Sequence, residues 1–151
     1  MKEKYTCHCG LYCENCATKA RVEPAAKILY DEMKRAGFED VVGMLPNGKE
    51  FWAFLRYMGE NGTCGSCRDG GGIPGCAIRH CARERGIVMC ADCGDYPCPN
   101  FAEMFAGYPV LGEDNDLLRR EGMAAWARLQ DERRTTGFAY SDMGQTGSPE
   151  E

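Results

Sequence analysis

Seven of the eleven cysteines of this 151-residue chain fall between Cys64 and Cys98, as Cys64-x2-Cys67, Cys76-x4-Cys81 and Cys90-x2-Cys93-x4-Cys98. A Cys-x2-Cys turn lets two thiolates converge on one ion at about 2.3 Å, and four such sulfurs close a tetrahedron around zinc. Upstream, Cys9, Cys13 and Cys16 form a Cys-x3-Cys-x2-Cys pattern. The spacing nominates ten metal ligands: Cys9, Cys13, Cys16, Cys64, Cys67, Cys76, Cys81, Cys90, Cys93 and Cys98. Zinc is the expected ion. Ten ligands exceed two four-sulfur sites and fall short of three, unless Cys7, His8 or His80 completes a third or a binuclear cluster shares sulfurs. His8 and His80 each sit beside a cysteine, and adjacent residues rarely point toward one ion, so both are expected to be bystanders. On the same ground Cys7, next to Cys9, is the expected spare thiol.

The same residues bear on other chemistries. Cys-x3-Cys-x2-Cys is also the spacing with which radical SAM enzymes hold three irons of a four-iron cluster. That chemistry needs a large partial α/β barrel, and no alternating series of strand and helix patterns here could build one. The Cys98-Pro99 ending is shared with bacterial ferredoxins, whose run is Cys-x2-Cys-x2-Cys-x3-Cys-Pro. The internal spacing departs from that run, which leaves an iron-sulfur cluster as the alternative cofactor. Arg68 to Gly75 is a Gly-rich loop without the Lys-Ser/Thr ending of a phosphate-binding loop, and it reads as slack between ligand pairs. The Cys-x2-Cys pairs lack the βαβ context of thioredoxin. A closed four-thiolate zinc site cannot activate water and acts as scaffolding, whereas an open coordination position could be catalytic. The expected function is therefore a metal-binding, binding or interaction module, with an iron-sulfur or thiol-based redox protein or enzyme as the alternative. Enzymatic activity stays undecided.

An odd cysteine count argues against full disulfide pairing, and metal ligation is the better use for thiols in a reducing compartment. Lys and Arg number 18 against 23 Asp and Glu, a net charge of -5. That balance disfavours nucleic acid unless basic residues segregate on one face. A protein or small molecule is the expected partner. The segment Met1-Lys-Glu-Lys-Tyr-Thr6 leads into no apolar run, and no membrane span follows, so the expected location is cytoplasmic.

The elements that must position these residues read as mainly α, a small helical domain built around Cys-rich zinc-knuckle loops with at most short β segments. Residues 1–140 are expected as one domain and 141–151 as a disordered tail. Pro24 opens a helix with Ala25, Ile28, Leu29, Met33 and Ala36 at helical spacing, ended by Gly37. Asn47 is an N-cap candidate for a second helix, whose apolar stripe is Phe51, Phe54, Leu55 and Met58, flanked by Trp52 and Tyr57. Cys76 is expected at or before the start of a short helix stopped by Gly86. Ile87-Val88-Met89 is a β-like run, and Pro99 suits the first turn of a helix. The last third reads as one long helix bearing Leu118, Ala125, Trp126 and Leu129, with Gly122 within it and Arg119, Arg120, Arg128, Arg133 and Arg134 on or beside it, mostly facing solvent.

The ordered motifs Cys9-Gly-Leu-Tyr-Cys13-Glu-Asn-Cys16, Cys64-Gly-Ser-Cys67-Arg68 and the run from Cys76 through Cys81, Cys90 and Cys93 to Cys98 resemble the Cys-rich domain of unknown function 3795 family of bacteria and archaea. The resemblance extends to about Phe105. It implies a metal site without a particular activity, and Cys7 lies outside the shared pattern.

Overall fold

The structure, a computed structural model, describes residues 3–143. Among them are seven α-helices and no strand, with one isolated antiparallel bridge between Thr6 and Tyr12. The mainly helical expectation holds. Of the tail expected from residue 141, residues 144–151 lie outside the described residues, while Tyr140–Met143 forms a 3-10 turn. The chain divides into two compact units, Ala17–Cys64 and the segments up to Cys16 and from Gly65 onward.

The Ala17–Cys64 unit holds α1 (Glu23–Arg35), α2 (Phe38–Val41) and α3 (Gly48–Asn61). Pro24 sits in the first turn of α1, and Gly37 follows that helix at φ 74°, both as the sequence predicts. Ala26 and Tyr30 of α1 pack with Val42 and with Trp52 and Leu55 of α3. The stripe expected on α3 is rotated. Leu55 is 4% exposed and Trp52 is buried, whereas Phe51, Tyr57 and Phe54, the last 60% exposed, face outward. The indole decides the rotation, because its ring meets Tyr30 at 5.1 Å and its N–H reaches Glu39 Oε1 at 3.4 Å. Aromatic pairing of this kind adds to what area burial alone supplies. Asn47 precedes α3, but its backbone is left-handed, at φ 53°, and its side chain makes no cap bond. Side-chain capping needs an extended residue there, so only the Asn47 carbonyl is used, by the Phe51 N–H at 3.0 Å.

Glu23 fastens the end of this unit to its beginning. Its Oε1 accepts from the Thr63 N–H at 2.8 Å, the Cys64 N–H at 3.2 Å and the Thr63 hydroxyl at 3.3 Å. Partial burial pushes the Glu23 carboxyl up, but the Thr63 N–H, Lys19 and the Cys64 N–H together outweigh it and hold the group below the usual carboxylate range.

The other unit holds α4 (Ala77–Glu84), α5 (Pro99–Gly107), α6 (Val110–Glu121) and α7 (Met123–Thr135). The long C-terminal helix of the sequence reading is two helices. Gly122 takes φ 81° and ψ 177°, a conformation that ends α6 and that residues other than glycine rarely adopt. The break lets α6 and α7 pack on each other around Leu118 and Trp126, with Tyr12, Met89 and Ala91. A buried polar chain joins them. Arg133 donates to the fully buried Asp114 at 2.6 Å, so it is not the solvent-facing arginine expected. Gln130 donates to the same Asp114 oxygen at 2.9 Å and accepts from Asn15 at 3.0 Å and from the Tyr140 hydroxyl at 3.1 Å. Ile87–Met89, read as β-like, is extended at Met89 but belongs to no strand. Its Val88 carbonyl is occupied by side chains instead, as described below.

Two predictions follow from the Ala17–Cys64 unit. Leu55→Ala is expected to lower stability by about 2–5 kcal/mol, and Phe54→Ala to change it by less than about 0.5 kcal/mol, in denaturant unfolding of the full chain. Glu23→Gln is expected to cost about 1 kcal/mol at neutral pH. Because folding depresses the Glu23 pKa, its contribution is present above the carboxylate range and lost as pH falls through it. Hydrogen exchange at the Thr63 and Cys64 amides should therefore converge for the two proteins in acid.

Candidate metal centre

The chain reverses tightly between Thr6 and Tyr12. The Cys7 N–H donates to the Leu11 carbonyl at 2.8 Å, and the Gly10 N–H to the Cys7 carbonyl at 3.1 Å. Gly10 is required twice over. It stands at φ 97°, and a Cβ there would meet Asn115 Nδ2 at 2.5 Å. That amide donates to the carbonyls of Cys9, at 2.9 Å, and Leu111, at 2.7 Å, anchoring the reversal to α6.

Cys7 is at the centre of a thiol group. Its Sγ lies 3.4 Å from Cys13 Sγ, and Cys9 and Cys67 pack in the same core cluster. The neighbouring Cys13, Cys67 and Cys9 thiols, with burial behind them, push the Cys7 thiol far up. Cys67 is the counterpart, brought down to about 5, first by the Cys7 thiol and then by the His8 N–H and the Arg79 charge, against burial. Cys9 is lowered too, chiefly by the same Cys7 thiol. Cys67 is presented by a turn in which the Gly71 N–H donates to the Ser66 carbonyl at 2.7 Å and Ser66 Oγ to Asp69 at 2.8 Å.

A second group surrounds a cavity of about 20 Å³ lined by Cys81, Cys90, Cys93 and Cys98, together with Ile78, Tyr96 and Arg85. Cys81 comes from α4. Cys90 starts a 3-10 turn, Cys90–Asp92, in which the Cys93 N–H returns to the Cys90 carbonyl at 3.0 Å. Cys98 lies just ahead of α5, where its carbonyl accepts from the Phe101 and Ala102 N–H groups. Burial, then the neighbouring Cys9, Cys98, Cys93 and Cys81, push the Cys90 thiol up to about 12. Thiols this close cannot all ionise without a compensating cation.

Arg68 holds three of the cysteine-bearing segments together. Its Nε donates to the Thr6 carbonyl at 2.9 Å and one terminal nitrogen to the Val88 carbonyl at 2.9 Å, while the other lies 3.3 Å from His8 Nδ1. His8 is buried, with Nδ1 also 3.0 Å from the Val88 carbonyl, which occupies that ring nitrogen. The Cys90 N–H completes the junction by donating to the His8 carbonyl at 2.7 Å. On the outer side, Arg119 donates to the Ala91 carbonyl at 2.9 Å and lies over the Tyr96 ring.

Of the ten cysteines nominated from spacing, Cys9, Cys13 and Cys67 meet around Cys7, and Cys81, Cys90, Cys93 and Cys98 meet around the cavity. Cys76 occupies the N-cap position of α4 without a side-chain cap bond and packs against the core that holds Cys7 and Cys9. Cys16 is exposed, and Cys64 belongs to the Ala17–Cys64 unit. Among the described residues no group of three or more His, Cys, Asp or Glu side chains is placed so as to hold a metal ion. Cys7, the expected spare thiol, lies in the same reversal as Cys9 and packs with it in the core.

The fold and these thiol groups define a small, helical, cysteine-rich domain. The chain belongs to the family described as Protein of unknown function (DUF3795), which it matches over residues 5–103. No curated protein and no solved structure matches it. Among the described residues no helix is long and apolar enough to cross a membrane.

Arg68→Ala is expected to destabilise the chain by about 1.5–3 kcal/mol, the usual size for hydrogen bonds from a charged group. Arg68→Lys should recover little, since an ammonium cannot span both carbonyls as the guanidinium fork does. Urea unfolding of the three proteins checks both outcomes.

Proposed function

We propose that this chain is a zinc-binding protein in which the thiolates of Cys81, Cys90, Cys93 and Cys98 hold one structural ion, and that it serves as a binding or interaction module in the cytoplasm. One observation carries the reading: four thiols from α4, the Cys90–Asp92 turn and the start of α5 line a single cavity. The donor set is all sulfur, the set of a closed zinc site with no open coordination position, so its role is to hold turns together. The cavity volume, about 20 Å³, is that of roughly one water-sized sphere. That suits a lone cation better than a four-iron cluster. Arg85 lines the same cavity and supplies positive charge beside the thiolates. Exposed apolar side chains at Ile28, Met44 and Phe54 offer contact surface for a partner.

Metal analysis and an absorption spectrum of anaerobically purified full-length protein test this. Bound zinc without a visible band is the expected result. Iron with labile sulfide and a visible charge-transfer band would replace it with the iron-sulfur redox reading. Cys98→Ser should weaken zinc binding by more than about 100-fold, the upper end of what loss of an outer-shell partner alone does. It should also lower thermal stability, because metal binding and folding are linked. Unchanged zinc content in that variant would sink the assignment.

A further inference from the structure

We propose that Cys7, Cys9, Cys13 and Cys67 form a second site for a thiophilic divalent cation, zinc by its chemistry, with Cys7 as a ligand. The site shares no residue with the cavity of Cys81, Cys90, Cys93 and Cys98, so it stands or falls separately from the function proposed above. Four thiols from two separate stretches of chain, Cys7 to Cys13 and the Cys67 loop, gather in one core cluster. Ordinary packing does not call for that, because a buried thiol is only a small hydrophobe.

The spacing fits an ion. Around a tetrahedral zinc with Zn–S of about 2.3 Å, neighbouring sulfurs stand about 3.8 Å apart. The Cys7–Cys13 separation is 3.4 Å, within reach of that edge by small rotations about Cα–Cβ bonds. Leu11, Ile78, Phe101 and Leu111 are the apolar neighbours of this group in the core. A purely sulfur donor set of this kind selects soft or borderline cations over magnesium and calcium. Cys7 and Cys9 are buried, so a captured ion would be closed off from water. Four thiolates on a dication leave two surplus negative charges, and the buried guanidinium of Arg79, held by the Gly71 and Ile73 carbonyls at 2.6 and 3.0 Å, offsets one of them.

The test counts zinc on the full chain by native mass spectrometry, under anaerobic conditions, after chelation and titration with zinc alone. Wild type is expected to take two ions. Cys7→Ser and Cys67→Ser should each take one, Cys98→Ser one, and Cys7→Ser with Cys98→Ser none. Cys67 lies in a loop rather than in the buried reversal, so its variant decides the matter where Cys7→Ser fails to fold. Cys16→Ser, at an exposed position, should keep both ions. Two ions retained by Cys7→Ser or by Cys67→Ser would overturn the second site. So would a wild type that takes a single ion lost in Cys98→Ser, which leaves the function proposed above standing. A Cys7–Cys13 disulfide found by peptide mapping of the zinc-titrated protein would overturn it as well.

Discussion

Cysteine thiols occupy the place that large hydrophobes hold in an ordinary core. Cys7 and Cys9 are members of the central cluster with Ile78, Phe101 and Leu111, and Cys13, Cys67, Cys76, Cys90 and Cys98 pack around it. A protonated thiol tolerates apolar surroundings, but several thiolates side by side repel one another in a medium that screens them poorly. Thiols packed this closely are therefore tolerated in the core only while most of them stay uncharged or are charge-compensated. Each of the turns that carry them is short, so few backbone bonds of its own hold it in place.

The unit compensates with side chains that bond to distant backbone. Arg68 reaches the Thr6 and Val88 carbonyls, Arg79 those of Gly71 and Ile73, Asn115 that of Cys9, and Arg119 that of Ala91. All are long-range or loop contacts that fix a segment in or beside the cysteine motifs by its main chain. Asp114 plays the matching part between α6 and α7, where its buried carboxylate is kept tolerable by Arg133 and Gln130. Removing one partner of such a buried pair leaves an uncompensated charge, which costs more than the pair itself contributes.

The Ala17–Cys64 unit is built on different physics. Its core of Ala26, Tyr30, Val42, Trp52 and Leu55 is aliphatic and aromatic, and its stability rests on apolar burial and one well-used carboxylate. It also leaves Phe51, Phe54 and Tyr57 of α3 exposed. A helix with a wide apolar band can bury only the part its partner covers, and here the Tyr30–Trp52 contact selects that part.

The boundaries of most helices were legible in the residues because they follow from local sterics. Pro24 and Pro99 suit first turns, Gly37 and Gly86 stop helices, and Cys76 stands at the start of α4, as short-range rules require. Packing decided the rest. The face of α3 that is buried, the break at Gly122, and the turn of Arg133 toward Asp114 depend on neighbours that local patterns do not name. The thiols were recognisable as a chemical class from their spacing alone, but their grouping was not. Cys67 packs with Cys7, and Cys81 joins Cys90, Cys93 and Cys98, and each meeting is a contact between stretches far apart in the chain. Composition supplied the donors, and only the folded backbone could choose which of them share a space.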